Sequence, residues 1–260
     1  MTYCVAISVK KGLIFCSDSR TNAGVDQVST YSKMYRFGID GERQFIITTS
    51  GNLGTSQTVM MQVKRDITEN KPLNLYTMQT MGDAAEYLGN ISRAHQNKHN
   101  NRGFESWFTI GGQVPNEKPR AMLIYPEGNF ITTSKDTPFL QIGESKYGKP
   151  ILDRILTDDT SLDTAALCAL VSMDSTMRSN LTVGPPIELT LYETDSFLQN
   201  RYHRFDEGSE YLREVKRSWD EKLKQSFETL PPISWANAHD QGNLQIQQAA
   251  SHFNPTQNFK

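Results

Sequence analysis

The first residues of the chain constrain its fold most. Thr2-Tyr3-Cys4-Val5-Ala6-Ile7-Ser8-Val9 is a β-rich run with almost no lead-in. Val5, Ile7 and Val9 alternate with the small residues Cys4, Ala6 and Ser8, a period of two. A strand this close to the start ties the terminus to a fixed place in the fold. Only Met1 precedes Thr2, and Thr is small enough for an initiator Met beside it to be removed. Removal leaves a threonine with a nucleophilic hydroxyl and a free α-amine, whose ordinary pKa of about 8 suits a base.

Composition narrows the alternatives. The 260 residues suffice for one large domain or two small ones. Lys and Arg total 27 and Asp and Glu 29, a formal charge of -2, without the basic excess of a nucleic-acid binder. No apolar stretch approaches membrane-spanning length, and the start lacks a signal-peptide pattern. Cys4, Cys16 and Cys168 are widely spaced, form no metal motif and read as buried small hydrophobes, so no metal or cofactor is expected. Three such cysteines suit a reduced compartment, and the cytoplasm is the expected location.

Along the chain, Lys10-Lys11-Gly12 marks a turn into a second strand, Leu13 to Cys16, ending at Ser17-Asp18-Ser19-Arg20. Thr21-Asn22-Ala23-Gly24 reads as a loop, Thr30 to Phe37 as extended, and Phe45 to Ser50 as a strand. After Gly51-Asn52-Leu53-Gly54, a helix is expected from Thr55 to Ile67. Met78, Met81, Ala84, Ala85, Leu88, Ile91 and Ala94 recur mostly at spacings of three and four, predicting a long helix over Leu73–His99. Asn97 to Gly103 is its polar exit. Strands follow at Phe104–Ile110, Pro119–Tyr125, Phe130–Thr133 and Leu140–Ile142. Helices are expected at Ile151–Leu156 and Leu162–Leu170, then a loop over Asp174–Gly184 and a strand at Ile187–Tyr192.

Glu210–Leu230 is helical by pattern and stops at Pro231-Pro232. The last 28 residues, rich in Gln, Asn and His, are expected to be disordered or to wrap a neighbouring subunit. The expected division is a domain over 1–195 and a C-terminal extension over 196–260. The order of elements predicts two packed antiparallel sheets with helices outside.

An N-terminal threonine nucleophile needs a proton acceptor, a charge beside it and an oxyanion donor. The α-amine supplies the first. Lys33 can supply the second, held by Asp18 through a charge-assisted hydrogen bond. Gly51, between a strand and a helix, can offer its backbone N–H. Taken singly, these are equally a turn residue, a surface charge and a chain break before a helix. None of the five histidines, His95, His99, His203, His239 and His252, has a convincing Ser or Cys partner by spacing.

The segments Thr2-Tyr3-Cys4-Val5-Ala6-Ile7 and Gly12-Leu13-Ile14-Phe15-Cys16-Ser17-Asp18-Ser19-Arg20 resemble the opening of a proteasome β subunit. More closely, the chain resembles the bacterial proteasome-like Anbu family. The resemblance covers about the first 195 residues, with the long C-terminal region belonging to the closer family. It implies an N-terminal nucleophile hydrolase of the α+β class, a four-layer αββα sandwich. The family's nucleophile matches Thr2, its aspartate and arginine match Asp18 and Arg20, its lysine Lys33 and its oxyanion glycine Gly51. Thr49 falls where proteasomes place the main residue shaping the substrate pocket. For the family's Gly-Ser-Gly serine, Gly143-Glu144-Ser145 offers either Glu144 or Ser145. Asp174 and Ser179 match the aspartate and serine that precede the last strand, although Ser175 to Gly184 departs from the pattern.

The resemblance implies a threonine-type hydrolase acting on peptide bonds once Met1 is gone. It also implies a homo-oligomer of many subunits, in an open or spiral ring in place of a closed one. A small-amide hydrolase and a non-catalytic assembly subunit are the alternatives. No nucleic-acid or membrane partner is expected, and no unfoldase docking motif is readable.

Overall fold

The computed structural model describes residues 1–22, 28–98 and 102–233. The strands of the first half are β1 (Tyr3–Val9), β2 (Gly12–Asp18), β3 (Arg20–Asn22), β4 (Val28–Thr30), β5 (Met34–Ile39) and β6 (Arg43–Gly51). Those of the second half are β7 (Ser106–Gln113), β8 (Arg120–Ile124), β9 (Phe130–Thr132), β10 (Phe139–Gly143), β11 (Ile187–Glu193) and β12 (Arg201–Phe205). The helices are α1 (Leu53–Thr68), α2 (Met81–Gln96), α3 (Lys149–Ile155), α4 (Leu162–Ser179) and α5 (Glu210–Glu228). The chain divides into two units, Met1–Leu212 and Arg213–Lys260.

Two five-stranded antiparallel sheets, β10-β1-β2-β11-β12 and β5-β6-β7-β8-β9, lie face to face. Three apolar layers follow from the period-two pattern. In β1, Tyr3, Val5, Ile7 and Val9 face α3 and α4, where they meet Leu152, Ala165, Ala169 and Met173. Cys4 and Ala6 face the other way, into a layer between the sheets with Leu13, Phe15, Ile46 and Leu123. Phe45, Ile47, Phe108 and Ile110 turn outward to α1 and α2, which contribute Val59, Val63, Met81, Ala85 and Leu88. This is the expected four-layer αββα sandwich.

Several element bounds differ from expectation. The helix expected from Leu73 is broken: a 3₁₀ turn at Leu75–Thr77 is capped by Asn74, and α2 starts after a Thr80/Asp83 capping box. Met78 is nonetheless buried in the same layer, so the apolar period carries across a break that only the caps reveal. α4 runs on through Asp174 to Ser179, where a loop was expected. Its polar residues are tolerated because their hydroxyls bond back one turn, Ser175 Oγ to Val171 O at 3.0 Å and Thr176 Oγ1 to Ser172 O at 2.9 Å.

β12 was not foreseen; it is an edge strand with exposed Arg201, His203 and Arg204, a pattern without alternating apolar residues. It extends the sheet past residue 195. The expected loop at Thr21–Gly24 is partly strand, with Arg20–Asn22 paired to Val28–Thr30; Ala23 and Gly24 lie outside the described residues. So do residues 99–101 of the expected exit loop and 234–260 of the tail. In the second unit, Leu223 and Phe227 of α5 are exposed.

The two outer elements of one layer meet at glycines. A Cβ on Gly89 of α2 would lie 2.2 Å from the carbonyl oxygen of Gly128 in the β8–β9 turn. Gly89→Ala must push helix from sheet, and we expect a loss of about 1–3 kcal/mol in denaturant unfolding, the usual cost of overpacking. An unchanged midpoint would show that the turn yields freely.

Candidate active site

The start of β1 is held at both groups of one peptide unit. The carbonyl oxygen of Thr2 accepts the N–H of Glu144 at 2.7 Å, and the N–H of Tyr3 donates to Asp18 Oδ1 at 3.1 Å. Thr2 is thereby fixed between the ends of β2 and β10. Close approach at β10 requires glycine: Gly143 has φ +84°, and a Cβ there would stand 2.0 Å from Thr2 O.

Asp18, fully buried, is the hub. Its Oδ1 also accepts Lys33 Nζ at 2.7 Å, and its Oδ2 accepts the N–H of Gly184 at 3.2 Å. Lys33, itself buried, donates as well to the carbonyl oxygen of Arg20 at 2.6 Å. The Lys33 backbone is pinned by β6, the neighbour of β5 in its own sheet, its carbonyl accepting Thr49 N–H at 3.0 Å. Burial pushes the Asp18 carboxyl above the ordinary range, while Lys33 and the N–H groups of Tyr3 and Gly184 pull it back.

A cleft of about 260 Å³ opens here, lined by Met1, Thr2, Arg20, Lys33, Thr49 and Gly51 among others. Ser50, Leu53 and Ser56 also line it. Gly51 ends β6 with φ +99°, and a Cβ would approach Glu105 O to 2.4 Å, so only glycine fits. Asn52 then caps α1 through Thr55 N–H at 2.9 Å, setting the helix start beside the cleft. Arg20 is held by Nη1 donating to Leu181 O at 2.8 Å, over Gly184, whose missing Cβ makes room for the guanidinium.

Of the residues singled out from sequence, Thr2, Asp18, Arg20, Lys33, Thr49 and Gly51 are thus brought together. Asp174 and Ser179 are not lining residues of this cleft; they lie on the last turns of α4, and Ser179 is exposed. Between Glu144 and Ser145, Glu144 is the buried one, and Ser145 is exposed. Glu144 Oε2 accepts Asn180 Nδ2 at 3.3 Å, a contact sequence reasoning missed. The constraint on Gly143 was the available signal, since it forces the next residue back toward Thr2.

In this form the α-amine belongs to Met1; the residue is 65% exposed although the amine itself is partly covered. Burial, then Lys33, lowers the amine's pKa, against the opposing pull of Asp18 and Glu144. The thiols are not rival nucleophiles: burial pushes Cys4 and Cys16 up strongly, and Cys168 up to about 12. Among the described residues there is no cluster of His, Cys, Asp or Glu placed to hold a metal, and no helix long and apolar enough to cross a membrane.

A family profile described as "Proteasome subunit" matches residues 2–191. Among solved structures, Anbu (ancestral beta-subunit) from Yersinia bercovieri is 43% identical with a TM-score of 0.87, covering 90% of this chain and 99% of that one. Anbu from Hyphomicrobium sp. strain MC1 is 41% identical with a TM-score of 0.84, covering 89% and 99%. A structure described as the helical assembly of the Anbu complex from Pseudomonas aeruginosa is 43% identical with a TM-score of 0.85, covering 90% and 99%. No curated protein matches the chain.

Two outcomes are expected here. Lys33→Met strands the buried Asp18 charge and should cost about 3–5 kcal/mol in denaturant unfolding, with Asp18→Asn/Lys33→Met recovering part of it. Full loss in the double variant would mean the pair is not coupled. Second, an amine with a lowered native pKa holds its proton less tightly than in the unfolded chain. Its contribution to stability therefore rises as pH increases through the window below about 8. NMR titration of the Met1 amine should give a midpoint below that of the denatured chain; an equal or higher midpoint contradicts the assignment.

Proposed function

Because the chain belongs to the bacterial proteasome-like Anbu family, within the proteasome subunits, we propose that it is a threonine-type N-terminal nucleophile hydrolase cleaving amide bonds. The single observation that carries this reading is the double hold on the Thr2–Tyr3 peptide beside the buried Asp18–Lys33 pair. Few requirements other than presenting Thr2 account for a buried lysine at that spot.

The mechanism follows from the geometry once Met1 is removed. The freed Thr2 amine accepts the hydroxyl proton, directly or through a water, as the hydroxyl oxygen attacks the carbonyl carbon of the substrate. Lys33 favours the developing alkoxide and, together with burial, lowers the pKa of the amine, as burial and Lys33 do for the amine of Met1. Asp18 anchors the ammonium. Gly51 offers its N–H to the oxyanion. The amine then passes the proton to the leaving nitrogen, and water hydrolyses the resulting ester. Arg20 and Thr49 shape a cleft of about 260 Å³, below the usual range for drug-sized ligands, which suits one side chain of an extended peptide or a small amide.

Of Glu144 and Ser145, the two residues the sequence offers for the family's serine, Glu144 takes that place, being buried and bonded through its N–H to Thr2 O, and Ser145, Asp174 and Ser179 have supporting roles. The protein acts in the cytoplasm as a homo-oligomer. The relative from Pseudomonas aeruginosa forms a helical assembly, which requires a head-to-tail contact that does not close. The exposed Leu223 and Phe227 of α5 belong to the surface for that contact.

The test uses protein matured in cells, with Thr2 confirmed as the first residue by mass. An electrophile bridging hydroxyl and amine should modify Thr2, and Lys33→Ala should slow the reaction by about 10²–10⁴-fold. Retention of Met1 in cells, or an inert Thr2 after its removal, favours the non-catalytic subunit. Turnover of small amides without peptides favours the small-amide enzyme.

A further inference from the structure

A buried carboxylate beside the Asp18–Lys33 pair has no part in the mechanism. Glu188, on β11, is 4% exposed. Its Oε2 accepts Ser19 Oγ at 3.1 Å and Ser32 Oγ at 2.7 Å, and its Oε1 accepts Tyr202 Oη at 2.7 Å. Ser19 follows Asp18 directly, and Ser32 directly precedes Lys33. One oxygen of Glu188 therefore ties together the neighbours of both members of the buried pair.

This tie runs parallel to the pair itself. Lys33 Nζ meets Asp18 Oδ1 across a gap between the end of β2 and the segment entering β5. Ser32, Glu188 and Ser19 bridge the same two segments one residue away. A lysine side chain has several rotatable bonds, so the ion pair itself leaves the backbone freedom on the Ser32 side, beyond the hold that Thr49 N–H has on the Lys33 carbonyl. Fixing the preceding residue to a buried strand removes that freedom. Ser32 Oγ also accepts the N–H of Met34 at 3.3 Å, which locks the turn on the other side of Lys33. Tyr202 fixes the plane of the carboxylate from β12, beyond residue 191 where the proteasome profile ends. Burial, with the bond to Glu188, pushes the Tyr202 phenol up to about 12, so it remains a donor.

We infer that Glu188 is a positioning residue for Lys33 and Asp18, acting through Ser32 and Ser19. The inference rests on the proposed role of Lys33, and the experiment separates the two. In the full chain with Met1 retained, amine acylation at each lysine is followed by peptide mass mapping. Ser32→Ala and Glu188→Ala should speed labelling of Lys33 by about tenfold, the effect of losing the charge-assisted hydrogen bond that holds the segment before it, while exposed Lys149 is unchanged. Glu188→Gln, which keeps an acceptor oxygen, should return labelling most of the way to the parent rate. In matured protein, adduct formation at Thr2 should fall in parallel.

Unchanged Lys33 labelling in Ser32→Ala, and in Glu188→Ala where that variant folds, overturns the inference. If Glu188→Ala fails to fold, Ser32→Ala alone decides. Faster Lys33 labelling in variants of a protein whose Thr2 is inert supports the positioning role and removes the catalytic one.

Discussion

A carboxylate with no access to water is the constraint on which this structure turns. Asp18 carries its charge into the protein interior, where an unpaired ion costs several kcal/mol. Both of its oxygens are satisfied: Oδ1 by Tyr3 N–H and Lys33, Oδ2 by Gly184 N–H. Each donor comes from a different part of the chain, the first strand, the segment before β5 and the loop before β11. Forming the charge network and assembling those three segments are therefore one event.

The layers around the hub explain why the chain's start becomes a usable group. β1 is an inner strand of its sheet, between β10 and β2, with helices on one side and the second sheet on the other. Alternation of large and small residues lets the sheets close on Cys4 and Ala6 while Tyr3, Val5 and Ile7 fill the helical layer. A strand buried on both faces cannot slip register without exposing its apolar set. Its first residue is then placed as firmly as its last. Gly143 at the end of β10 lets that strand end approach Thr2 without a Cβ in the way, and Gly51 at the end of β6 does the same against Glu105, ahead of β7.

Much of this was legible in sequence, because period-two alternation writes the strand faces directly. The central strands and the helices facing them follow from it. Polarity misled at α4, since serine and threonine in a helix read as loop residues until their bonds to earlier carbonyls are known. β12 was hidden because an edge strand need bury little. In the proposed site, Thr2, Asp18, Lys33 and Gly51 are candidates from their chemistry, and the resemblance joins them, since their meeting depends on residues far apart in the chain. The choice of Glu144 over Ser145 needed the backbone geometry at Gly143, and Glu188 sends no local signal at all. Its partners lie 169, 156 and 14 residues away.

The geometry of the N-terminus after methionine removal tests the central claim most directly. A high-resolution crystal structure of protein with Thr2 as its first residue should keep both Tyr3 N–H and Lys33 Nζ on Asp18 Oδ1. It should also bring the Thr2 hydroxyl to within hydrogen-bonding reach of the ammonium. A Lys33 side chain turned out of the cleft, or a Thr2 hydroxyl facing away from it, would contradict the account.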